Sequence, residues 1–152
     1  MPDSGGAGKF RGGLAIARQY RFLETTGTLQ LRTDRRRFLA YGLNGGRPGT
    51  PSDNVLNPDT EPRQLPSKCT LEVRRDDVFR HLLAGAGGWG DPLERDPGLV
   101  LRDVLEEKLT AAYARREYGV AIDAEARKVL PPETARLRAE MRPAATASRG
   151  PG

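Results

Sequence analysis

The chain has 152 residues, enough for one ordinary domain with a core of its own. Its hydrophobic content of 37% is lean, and its 18 glycines and 12 prolines predict a domain rich in loops. The net charge of +5 comes almost wholly from arginine, and the absence of a long apolar run or a signal region excludes a membrane span and predicts a soluble, cytoplasmic protein.

The first 13 residues are rich in glycine around Lys9. The pair Gly8-Lys9 invites comparison with a phosphate-binding loop. That motif needs a glycine where Asp3 stands and a serine or threonine where Phe10 stands, and a helix should follow it. The pattern therefore excludes a P-loop.

Alternating apolar residues predict a strand from Leu14 to Leu23 and another from Thr28 to Arg32. Thr26-Gly27 is expected to turn the chain between them and form a hairpin. The run Arg35 to Arg37 comes next. It is either a solvated strand end or an anion clamp, since guanidinium groups bind carboxylate or phosphate through two hydrogen bonds.

Residues 42–66 carry many prolines and glycines with little periodicity, so we predict a long irregular loop anchored by a few apolar side chains, at Leu43, Val55 and Leu56. Two further strands are predicted, from Lys68 to Arg74 and from Val78 to Leu83. Cys69 and His81 lie on the apolar faces of these strands. With one cysteine and one histidine, the sequence predicts no disulfide and no zinc site, and both residues are expected to be structural.

A glycine loop from Ala84 to Pro92 separates the strand-like half from the helical half. Its glycines remove the side chains over four peptide units, so the loop could bind an anionic ligand through amides or allow another backbone to pack closely. The alternative is a connection that simply reverses the chain. Its G-x-G-x-x-G spacing does not indicate a dinucleotide site, because Asp91-Pro92 follows where a helix should begin.

The last part of the chain has helical periodicity. Asp96-Pro97 is a helix start, and apolar residues recur at helical spacing from Leu99 to Leu109. The remaining predicted elements are a helix from Thr110 to Tyr118 capped by Gly119, a short strand from Val120 to Ile122, a helix from Glu133 to Arg142, and disorder after Pro143. Together these elements predict an α+β class, with antiparallel strands from about Gly12 to Leu83 and two or three helices from Asp96 onward.

Several motifs occur in one fixed order: Gly6 to Leu14, Tyr41 to Gly49, Gly85 to Pro92, Leu93 to Pro97, Val100 to Val104, and Arg116 to Val120. This order resembles the C-terminal part of the hydantoinase B/oxoprolinase family, over roughly residues 4–122. Family members are several times longer. The resemblance implies that residues 1–130 correspond to a C-terminal segment of such a subunit, followed by a helical and then disordered tail at 131–152.

The resemblance implies ATP-dependent opening of a cyclic amide such as a hydantoin, an N-methylhydantoin or 5-oxoproline. ATP with Mg is expected on a hydantoinase A-type subunit or domain, and the segment is expected to be inactive without that partner and the missing N-terminal part of the B-type subunit. Acetone and acetophenone carboxylases are relatives, so an ATP-dependent carboxylase is the alternative. Their metal ligands have no counterpart here, so any metal is expected outside this chain.

Activation of an amide by ATP creates anionic species, which need hydrogen-bond donors. We therefore predict a substrate, anion or interface site made of eight residues: Arg11, Arg35, Arg36, Gly85, Gly87, Gly88, Gly90 and Asp91. The alternative is that the glycines only shape a subunit interface. No acid–base pair or nucleophile triad is apparent, so catalytic residues stay unassigned. A basic, non-enzymatic RNA-binding module is a further hypothesis, disfavoured because aromatic stacking residues are few.

Overall fold

The computed structural model describes residues 1–147. Strands come first in this part of the chain: Ala17–Arg21 (β1), Thr26–Arg32 (β2), Asp53–Leu56 (β3), Arg63–Gln64 (β4), Lys68–Arg74 (β5) and Val78–Leu82 (β6). A 3₁₀ turn at Pro92–Glu94 leads into Pro97–Leu105 (α1), Ala111–Tyr118 (α2), Ile122–Asp123 (β7), Lys128–Val129 (β8) and Pro131–Ala147 (α3). Because antiparallel strands precede the helices, the predicted α+β class is confirmed.

The strands form one four-stranded sheet and two separate two-stranded ribbons. The sheet order is β1-β6-β3-β4, and all its neighbours are antiparallel. One ribbon joins β2 to β5 and the other joins β7 to β8. The strand β6 is paired with a strand on each side and is therefore an inner strand of the sheet. Its residue Phe79 is 5% exposed.

The predicted hairpin between the first two strands is wrong. In the structure, β1 pairs with β6 and β2 pairs with β5, and Thr26 and Gly27 begin β2 instead of forming a turn. The reason is that alternation along a strand specifies its apolar face and not its partner. On β2 that face carries Leu29 and Leu31, which lie opposite Leu71 and Cys69 on a strand some 40 residues away.

The prediction of an irregular loop at residues 42–66 is wrong in part, because β3 and β4 lie inside it. Three of the four residues of β3 are buried, so the strand has no exposed face to produce an alternating pattern. Of the three predicted anchors, Val55 and Leu56 are each 5% exposed, as expected, whereas Leu43 is 56% exposed and the prediction is wrong for it. The buried Asn54 accepts a hydrogen bond at 2.7 Å from Nδ1 of His81, which is therefore a satisfied structural histidine.

The helix ends follow the predicted capping signals. The Asp96 side chain accepts hydrogen bonds from the first turn of α1, and Gly119 ends α2 with a φ of +60°. The helix α1 stops at Leu105, four residues before the end of the predicted stripe. The helix α3 runs beyond Pro143, where the sequence predicts disorder, and residues 148–152 lie outside the described part of the chain.

Two apolar clusters form the core. One packs α1 and α2 against residue Ala7, and the other lies between the sheet and the β2–β5 ribbon and contains Leu31, Leu56, Leu65, Val73 and Phe79. Ala7 is fully buried and belongs to the glycine-rich N-terminal stretch, so the helices pack directly on that stretch. Within residues 1–147, no helix combines the length and the apolar character that a bilayer crossing requires.

Candidate interaction site at the glycine bundle

Three glycine-rich segments lie side by side: residues 4–13, 40–50 and 84–90. They do not form regular strands, and we call them the glycine bundle. Each segment is hydrogen-bonded to the other two. The Gly6 amide donates to Ala86 O at 2.8 Å, the Arg47 amide donates to Ala7 O at 2.7 Å, and the Gly88 amide donates to Arg47 O at 2.9 Å. The bundle is therefore held together by its main chain.

The segments approach so closely that only glycine fits at many positions. A Cβ atom added to Gly85 would lie 1.8 Å from Ser4 O, one on Gly87 would lie 1.9 Å from Tyr41 O, and one on Gly88 would lie 2.2 Å from Ala7 O. Glycine is needed at the crowded axis of the collagen triple helix for the same reason. Of the roles predicted for the glycine loop, close packing of another backbone is the one that the structure shows.

Three of the four glycine amides in the loop already have acceptors within the chain. The amides of Gly85, Gly88 and Gly90 donate to Thr50 O, Arg47 O and Leu43 O at 2.9–3.0 Å. A phosphate cradle needs amides that point at the ligand, so these residues do not fit the phosphates of ATP. Direct contact between the loop glycines and a substrate stays a prediction.

Arg11 belongs to a buried charge cluster that sequence reasoning missed. Its Nε lies 3.2 Å from Oδ2 of Asp103, and Nη2 of Arg95 lies 2.8 Å from the same oxygen. The side chains of Arg11, Asp103 and Arg95 are only 15%, 3% and 8% exposed. Two guanidinium groups thus share one carboxylate, and the cluster ties the first bundle segment to α1. Asp103 lies three residues after the buried Val100, so the two side chains are on the same face of α1. This spacing is the sequence signal that Asp103 faces inward.

The arginine run is divided between different environments. Arg36 donates to Leu65 O and pairs with Asp53 at 3.6 Å, so it stabilises the turn-rich region around β3 and β4. Arg35 is exposed, adopts a φ of +62° and donates to Leu39 O at 3.4 Å. The predicted anion clamp stays a prediction, and of these two arginines only Arg35 has an exposed position that suits it.

Asp91, the last predicted site residue, caps the 3₁₀ turn that follows the glycine loop. Its carboxylate accepts a hydrogen bond from the Leu93 amide at 2.9 Å. This is the N-cap role that aspartate commonly has, and it directs the chain from the bundle into the helices. Gly90 just before it needs its φ of +76°, which a residue with a side chain would rarely adopt.

An exposed aromatic patch, which no sequence pattern predicted, lies on the bundle. It consists of Phe10, Leu43 and Trp89, which are 61%, 56% and 45% exposed. Each comes from a different bundle segment, and backbone bridges join Trp89 to both of the others. The rings of Phe10 and Trp89 have their centroids 5.6 Å apart. The two rings therefore lie together, and the backbone bridge places Leu43 next to Trp89, so the patch groups three exposed apolar residues.

The helix α2 packs its tyrosines against the other side of the first bundle segment. The Tyr113 hydroxyl donates to Gly5 O at 3.3 Å, and burial raises the pKa of this group. Burial also raises the pKa of Tyr118 to about 12, and its hydroxyl has no hydrogen-bond partner among residues 1–147.

In the same described part of the chain, no three His, Cys, Asp or Glu side chains are grouped to hold a metal ion.

Comparison with known sequences identifies the class of protein. Residues 1–92, which include all three segments of the bundle, match the family model described as hydantoinase B/oxoprolinase. The chain belongs to this family. It is 39% identical over 120 residues to an uncharacterized protein, MJ0963, of Methanocaldococcus jannaschii, and 34% identical over 118 residues to the putative B subunit of a D-/L-hydantoinase from a Pseudomonas species. These matches cover 79% and 76% of the chain.

Two solved structures share the fold. The ATP-dependent caprolactamase of Pseudomonas jessenii superposes with a TM-score of 0.78 over 91% of the chain at 28% identity. A nucleotide-free acetone carboxylase superposes with a TM-score of 0.73 over 99% of the chain at 22% identity, which shows the fold alone. The chain spans 20–21% of the length of the two sequence relatives and 25% of each structural neighbour.

Proposed function

We propose that this chain is a segment of the B-type subunit of an ATP-dependent enzyme that opens a cyclic amide. Hydantoin, N-methylhydantoin and 5-oxoproline are the candidate substrates. The observation that carries the proposal is the glycine bundle: all of it lies within the family match, and the caprolactamase structure has the same fold at 28% identity. The putative B subunit of the D-/L-hydantoinase, 34% identical to this chain, also supports a hydrolase acting on cyclic amides.

In this proposal the chain supplies a rigid scaffold and other polypeptide supplies the chemistry. The bundle is crosslinked by main-chain hydrogen bonds, and the amides of Gly85, Gly88 and Gly90 are used internally, which supports a binding site for ATP elsewhere in the enzyme. We therefore place ATP with Mg on an A-type subunit and the bond-breaking groups on the part of the B-type subunit that this chain lacks. Close packing at its glycines keeps the neighbouring surfaces in a fixed geometry. Catalysis requires such a fixed geometry around the reacting groups.

An ATP-dependent carboxylase is the second candidate. The delta subunit of the acetophenone carboxylase of Aromatoleum aromaticum, 49% identical to this chain over 55 residues, supports keeping it. The two candidates predict different co-substrates, because a carboxylase needs bicarbonate and a ketone whereas a hydrolase needs only the cyclic amide, water and ATP.

The test is reconstitution from purified parts. ATP hydrolysis is measured with each cyclic amide, and bicarbonate incorporation with acetone, for the chain alone, with an A-type subunit, and with the A-type subunit plus the remaining part of a B-type subunit. We expect amide-dependent ATP hydrolysis in the complete mixture and none when this chain is omitted. Activity of the chain alone would contradict the scaffold role, and ketone-dependent bicarbonate incorporation would favour the carboxylase.

A further inference from the structure

The aromatic patch of Phe10, Leu43 and Trp89 is built on a rigid platform. Its side chains come from the three bundle segments. Backbone bridges between Phe10 and Trp89 and between Leu43 and Trp89 hold these segments together. Lys9 and Glu94 beside it are already paired with each other at 3.3 Å. A partner that covers the patch therefore meets apolar atoms in a preset arrangement and no unpaired charge from these two neighbours, which limits the entropy lost on binding.

Two properties of the patch favour a permanent interface over a transient one. Its three residues are large and uncharged, and the centres of permanent interfaces are rich in aromatic and aliphatic side chains and poor in charges. Its side chains are 45–61% exposed, so a partner that covers them removes apolar area from water and stabilises the complex. Tyr41, two residues before Leu43, is also 72% exposed and could widen the covered area.

We propose that the aromatic patch is the surface on which the rest of a B-type subunit docks. The chain spans only 20–25% of the length of the relatives and neighbours described above, so in those proteins most of the polypeptide is covalently continuous with this region. Such an intramolecular contact is of the permanent, apolar kind. This inference rests on the proposed function for the identity of its occupant.

The experiment measures binding of the full chain to the Pseudomonas jessenii caprolactamase chain from which the matching region has been removed. Three forms are compared: wild type, the double variant F10S/W89S, and the matched control Leu23→Ser. Leu23 is 68% exposed and lies outside the patch. The urea midpoint of each form is measured first, so that binding is compared only between forms that are folded under the binding conditions. An A-type subunit is titrated separately, and sedimentation of the chain alone reports self-association.

Trp89 is the only tryptophan in the chain, so labelling with 5-fluorotryptophan gives one fluorine resonance that reports directly on the patch. We expect the wild type and Leu23→Ser to bind equally, F10S/W89S to bind about tenfold more weakly or worse, and the resonance to shift on binding. No binding of the wild type, equal binding of all three forms, an unshifted resonance, or occupation of the patch by the A-type subunit or a second copy would each overturn the inference. Binding without amide-dependent ATP hydrolysis would contradict the proposed function and leave the docking surface standing.

Discussion

Replacing Gly88 by alanine tests whether the glycine bundle depends on close backbone contact. The added Cβ would lie 2.2 Å from Ala7 O and 2.6 Å from the Ala7 carbonyl carbon. These atoms belong to the main chain, so no side-chain rotation can relieve the overlap. The segments that carry Ala7 and Gly88 must move apart by about 0.8 Å to reach the 3.0 Å below which such contacts essentially never occur.

The cost follows from the hydrogen bonds that this movement stretches. The Gly6 amide donates to Ala86 O at 2.8 Å, and the Trp89 amide donates to Phe10 O at 2.9 Å, so both bonds join the segments that must separate. Each is worth about 1 kcal/mol, and forcing an extra methyl group into a packed site costs about 1–3 kcal/mol more. We expect the free energy of unfolding to fall by about 3–5 kcal/mol, a large share of the ~5–15 kcal/mol that ordinary domains possess.

The assay is urea unfolding followed by circular dichroism, with Gly13→Ala as the matched control. A Cβ on Gly13 would meet only the Ala86 methyl group at 3.8 Å, an ordinary contact, so this variant should lie within about 1 kcal/mol of wild type. If Gly88→Ala proves as stable as Gly13→Ala, the close packing of these segments does not stabilise the fold and the reasoning is wrong.

Two further predictions concern buried charge and buried tyrosine. Asp103→Asn leaves Arg11 and Arg95 without their shared carboxylate, so we expect the free energy of unfolding in urea to fall by about 3 kcal/mol. The control Asp76→Asn removes a carboxylate from an exposed ion pair and should cost less than about 1 kcal/mol. Equal losses in the two variants would refute the role of the cluster. Because the pKa of Tyr118 rises from 10.0 to about 12 on folding, the unfolded chain loses this proton first, and stability should fall by about 2–3 kcal/mol between pH 10 and pH 12. Tyr118→Phe should remove that part of the pH dependence, and an unchanged curve would contradict the assignment.

Local patterns were sufficient for elements whose signals are contained in their own residues. The caps at Asp96 and Gly119 were predicted because a side-chain acceptor and a left-handed backbone are properties of one position. The strands β5 and β6 were predicted because each has one apolar face. The strand β3 was missed because both of its faces are covered, and burial on both faces removes the alternation on which the prediction depends.

The site was only partly accessible from the sequence. The glycines marked positions where something approaches the backbone, but the approaching atoms, such as Ser4 O against Gly85, belong to distant parts of the chain. Arg11 was selected as an anion donor because arginine suits that role, and the structure shows it paired with Asp103, 92 residues away. The aromatic patch was missed because its members are isolated apolar residues in three separate stretches.

By itself, the amino-acid sequence determined the class of fold, the caps at Asp96 and Gly119, the family resemblance and the positions of the glycines, since these depend on residue type and short spacing. Tertiary structure decided which strands pair, which backbone fills the space over each glycine, and which charges and aromatic rings meet. The physical reason is that pairing and close approach depend on free energies shared between distant segments, and no single segment carries that information.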